Sequence, residues 1–436
     1  MARGAGVIDP ALRLWFFSQR WIDRWCLFLL ARVFMGGRAW AAAIAAKGNP
    51  DDFSKWLGLT RQEGGLGNYH YLLRQTWDKH QAACIAQQDW AQTVFGGTGD
   101  VAHAERNRRQ SAHADWMQRF SFVNLARWNG VQPVTRRQAV PSEAVFARWM
   151  GNPFRESKPL LDIAVSRAWE KDSIREYWLR YGENGYARVL EPFALRSDTP
   201  TFVYAHGLAM ETEMLSLPFD PYAAWARAGM RVILPDGPGH NRRVADGFYG
   251  GENFLMAPPL SAVEYFLTFT HELASLIAWA RGRGPVALGG ISLGALSSQL
   301  LAQYCDAWPN LARPDALLLV TTTAFISRLH KESAIAKVTG LDNVMAPWRP
   351  EELARLGEWT DALTPPAMDP GRVHVLLGKY DKVTPYAGGK ALLENWRLPR
   401  RNVTLRRQGH FSAAFGFQRN WNPLRKMFRD LGSMIE

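Results

Sequence analysis

From about residue 200 onward the chain carries short, mainly apolar runs: 201–205, 230–234, 286–288, 316–320, 373–377 and 403–405, interrupted only by Thr201, Arg231, His374 and Thr404. A strand covered on both faces has no need of alternation, and helical or loop material separates each run from the next. That pattern predicts α/β architecture: a mostly parallel, doubly wound sheet with helices on both faces. Ahead of these runs, residues 174–181 alternate weakly, 182–185 carry an Asn-Gly turn signal, and 186–190 are expected to pair back as a hairpin. A helix is expected over 261–281, opened by a capping box of Ser261 and Glu264. Together these elements define a domain over residues 161–436.

Residues 1–160 differ in texture and read as a helical N-terminal extension. Its segments are broken at 64–67, 96–99 and 129–130, and none of these glycine turns carries the Lys-Ser/Thr of a phosphate loop. His103 and His113, with Asp100, Glu105 and Asp115, lack the one-face spacing of zinc ligands and read as a solvated polar face. In residues 12–31, Arg13, Gln19, Arg20, Asp23 and Arg24 share one arc of a helical wheel, while Leu14, Trp15, Trp21, Ile22, Trp25, Phe28 and Leu29 lie opposite. Charges interrupt this stretch too often for a membrane span, and it lacks a signal-peptide cleavage pattern. Such a helix either lies in a bilayer interface or packs on the body of the protein, and the sequence leaves both open.

Composition bears on that choice. Nineteen Trp and a net charge of +12 suggest a partner that is anionic and partly apolar, which fits peripheral contact with an anionic membrane. No nucleic acid is expected, since the chain has no long basic run and no zinc-finger spacing. Three scattered cysteines suit neither a disulfide framework nor a cysteine metal site, so a reducing, cytoplasmic location and no metal or cofactor are expected.

Candidate chemistry gathers where the apolar runs end. The run 286–288 leads into Gly289-Gly290-Ile291-Ser292-Leu293-Gly294 and at once into a helix, a strand-turn-helix in which a serine sits at a strained tip. Ser292 is the candidate nucleophile, and the Leu293 N–H, at the helix start, is a donor for an oxyanion. The run 201–205 ends in His206-Gly207-Leu208, whose Leu208 N–H is the second donor. Asp381 follows the run 373–377, and His410 follows 403–405. The chain order Ser, Asp, His suits His410 as the base that takes the serine proton and Asp381 as the group that fixes its tautomer. Of the rival acids, Asp315 precedes its strand and Asp361 belongs to no strand end.

Through His206-Gly207, Asp236-Gly-Pro-Gly-His240, Gly290-Ile-Ser-Leu-Gly294, Gly378-Lys-Tyr-Asp381 and Gly409-His410, the chain from about residue 165 to its end resembles the α/β-hydrolase superfamily. The last hundred residues are also similar in texture to the hydrolase-domain type numbered eighteen in vertebrates. The resemblance implies a Ser292-Asp381-His410 triad with Leu208 and Leu293 as oxyanion donors, in a serine hydrolase that cleaves a carboxylic ester. Substrate contacts are expected from His206, Gly207, Phe248, Tyr249 and Phe254, with a small lid over residues 323–360 and a small-molecule or lipid-like ester as substrate. An amidase or thioesterase would use the same groups. A binding or scaffold protein of the same fold is the alternative from another class, and a dinucleotide site is disfavoured by the glycine spacing.

Overall fold

The computed structural model describes residues 16–58, 69–134, 137–210 and 220–433; residues 12–15 of the expected amphipathic helix and the 64–67 turn lie outside them. Its strands are β1 (Ile163–Val165), β2 (Trp169–Lys171), β3 (Ile174–Tyr181), β4 (Gly185–Pro192), β5 (Thr201–Ala205), β6 (Arg231–Pro235), β7 (Val286–Ile291), β8 (Ala316–Val320), β9 (Val373–Gly378) and β10 (Val403–Arg406). They form one sheet in the order β1-β3-β4-β6-β5-β7-β8-β9-β10, with β2 also paired to β3. β3 and β4 make the expected hairpin, with Tyr181 opposite Gly185, and β4 runs antiparallel to β6. From β6 to β10 every pairing is parallel. Residues of β5 to β9 are buried at every position, which explains their mainly apolar texture; Arg231, a buried exception in β6, pairs with Glu191 of β4 at 2.9 Å. The chain winds outward from β5 to β6 and then crosses back to β7, so a crevice opens beyond the carboxyl ends of β5 and β7. This order, with its antiparallel second hairpin strand, is the α/β-hydrolase fold.

Helices α1 (Ile22–Ala45), α2 (His70–Gly96), α3 (Val101–Ser121), α4 (Leu260–Ala280), α5 (Leu293–Gln303) and α6 (His410–Arg419) surround the sheet. α4 and α5 cover one face. α6, Pro221–Arg227 and Asn422–Asp430 cover the other. The capping box expected at the start of α4 does not form. Ser261 Oγ instead donates to the Phe254 carbonyl at 3.0 Å and accepts from Ala257 N–H at 3.3 Å, while Glu264 pairs with Arg148 at 2.7 Å.

The N-terminal helices share cores with the sheet rather than standing apart from it. Trp90 of α2 meets Trp178 of β3 edge-on at 5.4 Å. Glu105 of α3, expected on a solvated face, is 3% exposed and is held by Arg108 at 2.6 Å and by Arg109 at 2.5 Å. Arg109 also pairs with Glu176 of β3, which in turn takes Arg188 of β4 at 2.7 Å. Asp115, 8% exposed, accepts from Trp40 at 3.1 Å. The misjudged surface has a physical cause. The Glu105–Arg108–Arg109 cluster is local to α3, but it is covered because Arg109 crosses to Glu176 of β3, and Asp115 is covered by Trp40 of α1. These are contacts between residues far apart in sequence, which no local pattern reveals.

Within the expected helix at 12–31, residues 16–17 are helical, a turn over 18–21 interrupts it, and α1 then runs from Ile22 past residue 31 to Ala45. Its two halves behave differently. Phe34 and residues 36–44 are buried, including Arg38, which bonds Glu252 at 3.1 Å and the Gly247 carbonyl at 2.6 Å. Trp21, Trp25, Phe28 and Leu29 around its first turns are exposed. By length and composition α1 is long and apolar enough to cross a membrane, yet 56% of its most apolar window is packed inside the fold.

Candidate active site

β7 ends at Ile291 and α5 begins at Leu293, which leaves Ser292 alone on the turn at φ 54° and ψ −120°. A side chain held there costs on the order of 1–3 kcal/mol, so the surroundings must enforce it. Ser292 N–H donates to the Val320 carbonyl at 3.0 Å, and its own carbonyl accepts from Leu296 N–H at 2.9 Å. Gly290 and Gly294 allow the crossing. A Cβ on Gly290 would stand 2.4 Å from the Gly294 carbonyl carbon, and one on Gly294 would stand 2.2 Å from the Ala205 oxygen.

The neighbouring strands end in step with this turn. Thr321 N–H donates to the Leu376 carbonyl at 2.9 Å, and Tyr380 N–H to the Gln408 carbonyl at 2.9 Å, so the loops after β7, β8, β9 and β10 share one edge. There Asp381 Oδ2 meets His410 Nδ1 at 2.8 Å, with the two residues 6% and 5% exposed. Thr384 Oγ1 donates to the same oxygen at 2.9 Å, while Val383 and Thr384 N–H donate to Oδ1 at 2.8 and 2.9 Å. With its Nδ1 proton directed at Asp381, His410 presents Nε2 as the acceptor. Sequence reasoning missed Thr384. Its signal was the Asp-x-x-Thr spacing, which lets one turn satisfy a carboxylate with its own backbone and hydroxyl.

Leu293 opens α5, so its N–H has no partner inside the helix. The His206-Gly207-Leu208 loop lies against the serine, since a Cβ on Gly207 would be 3.4 Å from Ser292 Cβ. Two buried histidines brace this loop from below. His206 Nδ1 donates to the Gly207 carbonyl at 2.8 Å and Nε2 accepts Gly237 N–H at 2.9 Å. His240 Nδ1 donates to the Pro238 carbonyl at 2.9 Å and Nε2 accepts Ala209 N–H at 3.2 Å. Burial lowers the pKa of both, that of His240 to about 3 with His206 adding to the effect, which agrees with neutral rings that each donate once and accept once. His206, expected to touch substrate, is 2% exposed and is a brace for the loop.

A mostly apolar cavity of about 110 Å³ is lined among others by Phe254, Ala262, Phe266, Leu296, Ile326 and Met345, and Ser292 is not among its lining residues. Leu296 is one helical turn beyond Ser292, and Phe254 is where a substrate contact was expected. The 323–360 segment folds as short helices Leu329–Glu332, Ala334–Thr339 and Leu341–Val344, then Pro350–Thr360, and contributes several of the cavity walls. The other two expected aromatics are elsewhere. Tyr249 is 3% exposed, donates to the Pro133 carbonyl at 2.5 Å and stacks on Phe34 of α1 at 5.6 Å. Phe248 borders a separate cavity with Trp40, His80 and Cys84. Both serve the joint between the N-terminal helices and the loop after β6, because an aromatic-rich loop matches a helical core as well as it matches a ligand.

The rival acids have other occupations. Asp315 pairs with Arg281 at 2.5 Å and accepts Val286 N–H at 2.7 Å, at the amino edge of the sheet. Asp361 accepts Ser327 N–H at 2.8 Å and Ser327 Oγ–H at 2.6 Å, and burial raises its pKa. It anchors the start of the 323–360 segment. Among the described residues no group of His, Cys, Asp and Glu could hold a metal ion.

No protein-family model matches this chain, and no curated protein matches it. Among solved structures it is similar to the acetyl xylan esterase from Paenibacillus sp. R4, at 17% identity over 62% of this chain and 86% of that one, with a TM-score of 0.41. It is also similar to acetyl xylan esterase 1 from Thermoanaerobacterium sp. JW/SL YS485, at 16% identity over 65% and 96% of the two chains, with a TM-score of 0.39. An S-formylglutathione hydrolase from Agrobacterium tumefaciens shares 15% identity over 60% and 99%, again with a TM-score of 0.39. The α/β-hydrolase fold of this chain is seen in its own strand order and in the strained turn at Ser292.

Proposed function

We propose that this chain is a serine hydrolase that cleaves a carboxylic ester through an acyl-enzyme. The observation that carries the reading is a serine held at positive φ on the sheet edge that also bears the Asp381–His410 pair. His410 Nε2 takes the Ser292 proton as Oγ attacks the ester carbonyl, and the oxyanion that forms is held by Leu208 and Leu293 N–H. Asp381 keeps the ring oriented and stabilises its cation. His410 then gives the proton to the departing alcohol, and a water activated by the same ring releases the acid. An amide or thioester would follow the same steps.

The apolar cavity that Leu296, one helical turn beyond Ser292, helps to line favours an apolar acyl group. Each methylene buried there contributes about 0.8 kcal/mol, so kcat/KM for p-nitrophenyl esters is expected to rise about fourfold per carbon until the cavity is full. Ala262→Phe, which fills it, is expected to abolish that rise while acetyl-ester hydrolysis persists. A wild-type series in which acetate is best would contradict the acyl-pocket reading.

A second reading concerns attachment. Phe16, Trp21, Trp25, Phe28 and Leu29 are 45%, 45%, 56%, 52% and 49% exposed, with Arg20 and Arg24 exposed beside them. Apolar rings flanked by arginines on a chain of net charge +12 suit an anionic lipid surface, each basic residue near it contributing about 1 kcal/mol. The protein is expected to co-sediment with phosphatidylserine-containing vesicles at low salt and to be released by high salt. Trp25→Ser with Phe28→Ser should lose this binding and keep hydrolysis of soluble esters. Equal binding by that variant, or none by the wild type, would overturn membrane attachment.

A further inference from the structure

The loops that carry acid and base are gripped from outside the sheet by the segment leading into α1. Asp23, in the first turn of α1, reaches the amino end of α6. Its Oδ1 accepts Phe411 N–H at 2.8 Å and Ser412 N–H at 3.2 Å. Its Oδ2 accepts Gly409 N–H at 3.2 Å and Ser412 Oγ–H at 2.5 Å. A helix leaves its first N–H groups without partners, and Gly409, the residue before α6, has no side chain with which to satisfy them. A carboxylate at this end also meets the positive pole of the helix. The fit is close, since a Cβ on Gly409 would stand 2.5 Å from Asp23 Cγ. Three contacts extend the grip: Gln408 Nε2 donates to the Ser18 carbonyl at 2.5 Å, Phe17 packs on Phe415 at 5.3 Å, and the Arg20 guanidinium lies 3.7 Å from the ring centre of Tyr380, the neighbour of Asp381.

His410 is the first residue of α6, so whatever fixes that first turn fixes the imidazole. We propose that Asp23 is a positioning residue for His410, a cap supplied by α1 to the helix that bears the base. The inference rests on the reading of His410 as that base. Without the cap the first turn of α6 loses the acceptor for the Phe411 and Ser412 N–H groups and the Ser412 hydroxyl, while Gly409 N–H keeps only Ser412 Oγ at 2.9 Å, and the imidazole of His410 loses its fixed placement. The acyl cavity is built by other elements, so substrate binding is not expected to suffer.

The test compares full-length Asp23→Ala, Asp23→Asn and Gly409→Ala by kcat and KM on a soluble p-nitrophenyl ester, with the folded fraction of each followed by thermal melting. Asp23→Ala is expected to lower kcat about 10- to 100-fold with KM little changed, the size of loss that follows small misplacement of a reacting group. Asp23→Asn keeps one carbonyl oxygen for Phe411 and Ser412 and should regain part of the rate. Gly409→Ala is compatible with its backbone at φ −94°, and its methyl displaces the Asp23 carboxylate, so it should repeat the loss. Wild-type kcat in Asp23→Ala overturns the proposal, as does a loss that merely tracks the folded fraction. Should Asp23→Ala fail to fold, the other two variants decide, and wild-type kcat in both overturns it. Ser292→Ala is run alongside: if it stays active, the serine reading itself fails, whereas an inactive Ser292→Ala beside an unimpaired Asp23→Ala removes only the cap.

Discussion

Ser292→Ala and His410→Ala should each abolish hydrolysis of p-nitrophenyl esters, and the double variant should be no slower than either single one. Nucleophile and base act as a unit, so removing one leaves the other without a task; in comparable sites each loss is on the order of 10⁶ in kcat. Asp381→Asn belongs to the same set and should cost about 10⁴, because an amide beside Nδ1 favours the wrong tautomer. Thr384 Oγ1 also approaches His410 Nδ1, at 3.3 Å, yet a hydroxyl cannot replace the carboxylate that stabilises the ring cation. Steady-state kinetics with the folded state verified by circular dichroism checks all three. Additive losses from Ser292 and His410 would argue against their acting together.

The largest expected effect on stability lies far from the sheet edge. Arg38 and Glu252, 2% and 0% exposed, join α1 to the short helix after β6, and Glu252 also accepts Tyr249 N–H at 3.2 Å. Breaking a buried pair from one side strands the other charge, so Arg38→Ala or Glu252→Ala should lose about 3–5 kcal/mol. Replacing both at once, Arg38→Met with Glu252→Leu, should cost far less than either single change. Urea unfolding midpoints measure the difference. Single variants with unshifted midpoints would show that the N-terminal helices contribute little to the fold of the sheet domain.

Much of the site was legible because its cues are local. Parallel strands buried on both faces are mainly apolar, and the turn at Ser292 demands small residues at fixed offsets. The residues at strand ends then follow from chain order, which is why Asp381 and His410 fall beside each other as expected. What was not legible depends on distant partners. Tyr249 and Phe248 are aromatics in a loop, and nothing local tells a pocket wall from a joint to α1. Glu105 and Asp115 look solvent-facing because what covers them is distant in sequence: the Glu105–Arg109 pair is local to α3 but is closed over by Glu176 of β3, and Asp115 meets His80 only once α2 and α3 pack. Asp23 reads as one more charge on the polar arc of an amphipathic helix, and its contacts with the first turn of α6 form only when α1 meets α6.

A fluorophosphonate probe reports the central claim most directly, because it reacts with a serine only where base and oxyanion donors activate it. The labelled protein, digested and mapped by mass spectrometry, is predicted to carry the phosphonyl group on Ser292 alone, and Ser292→Ala is predicted to carry none. A label on another serine, or no label on folded wild-type protein, would contradict the account.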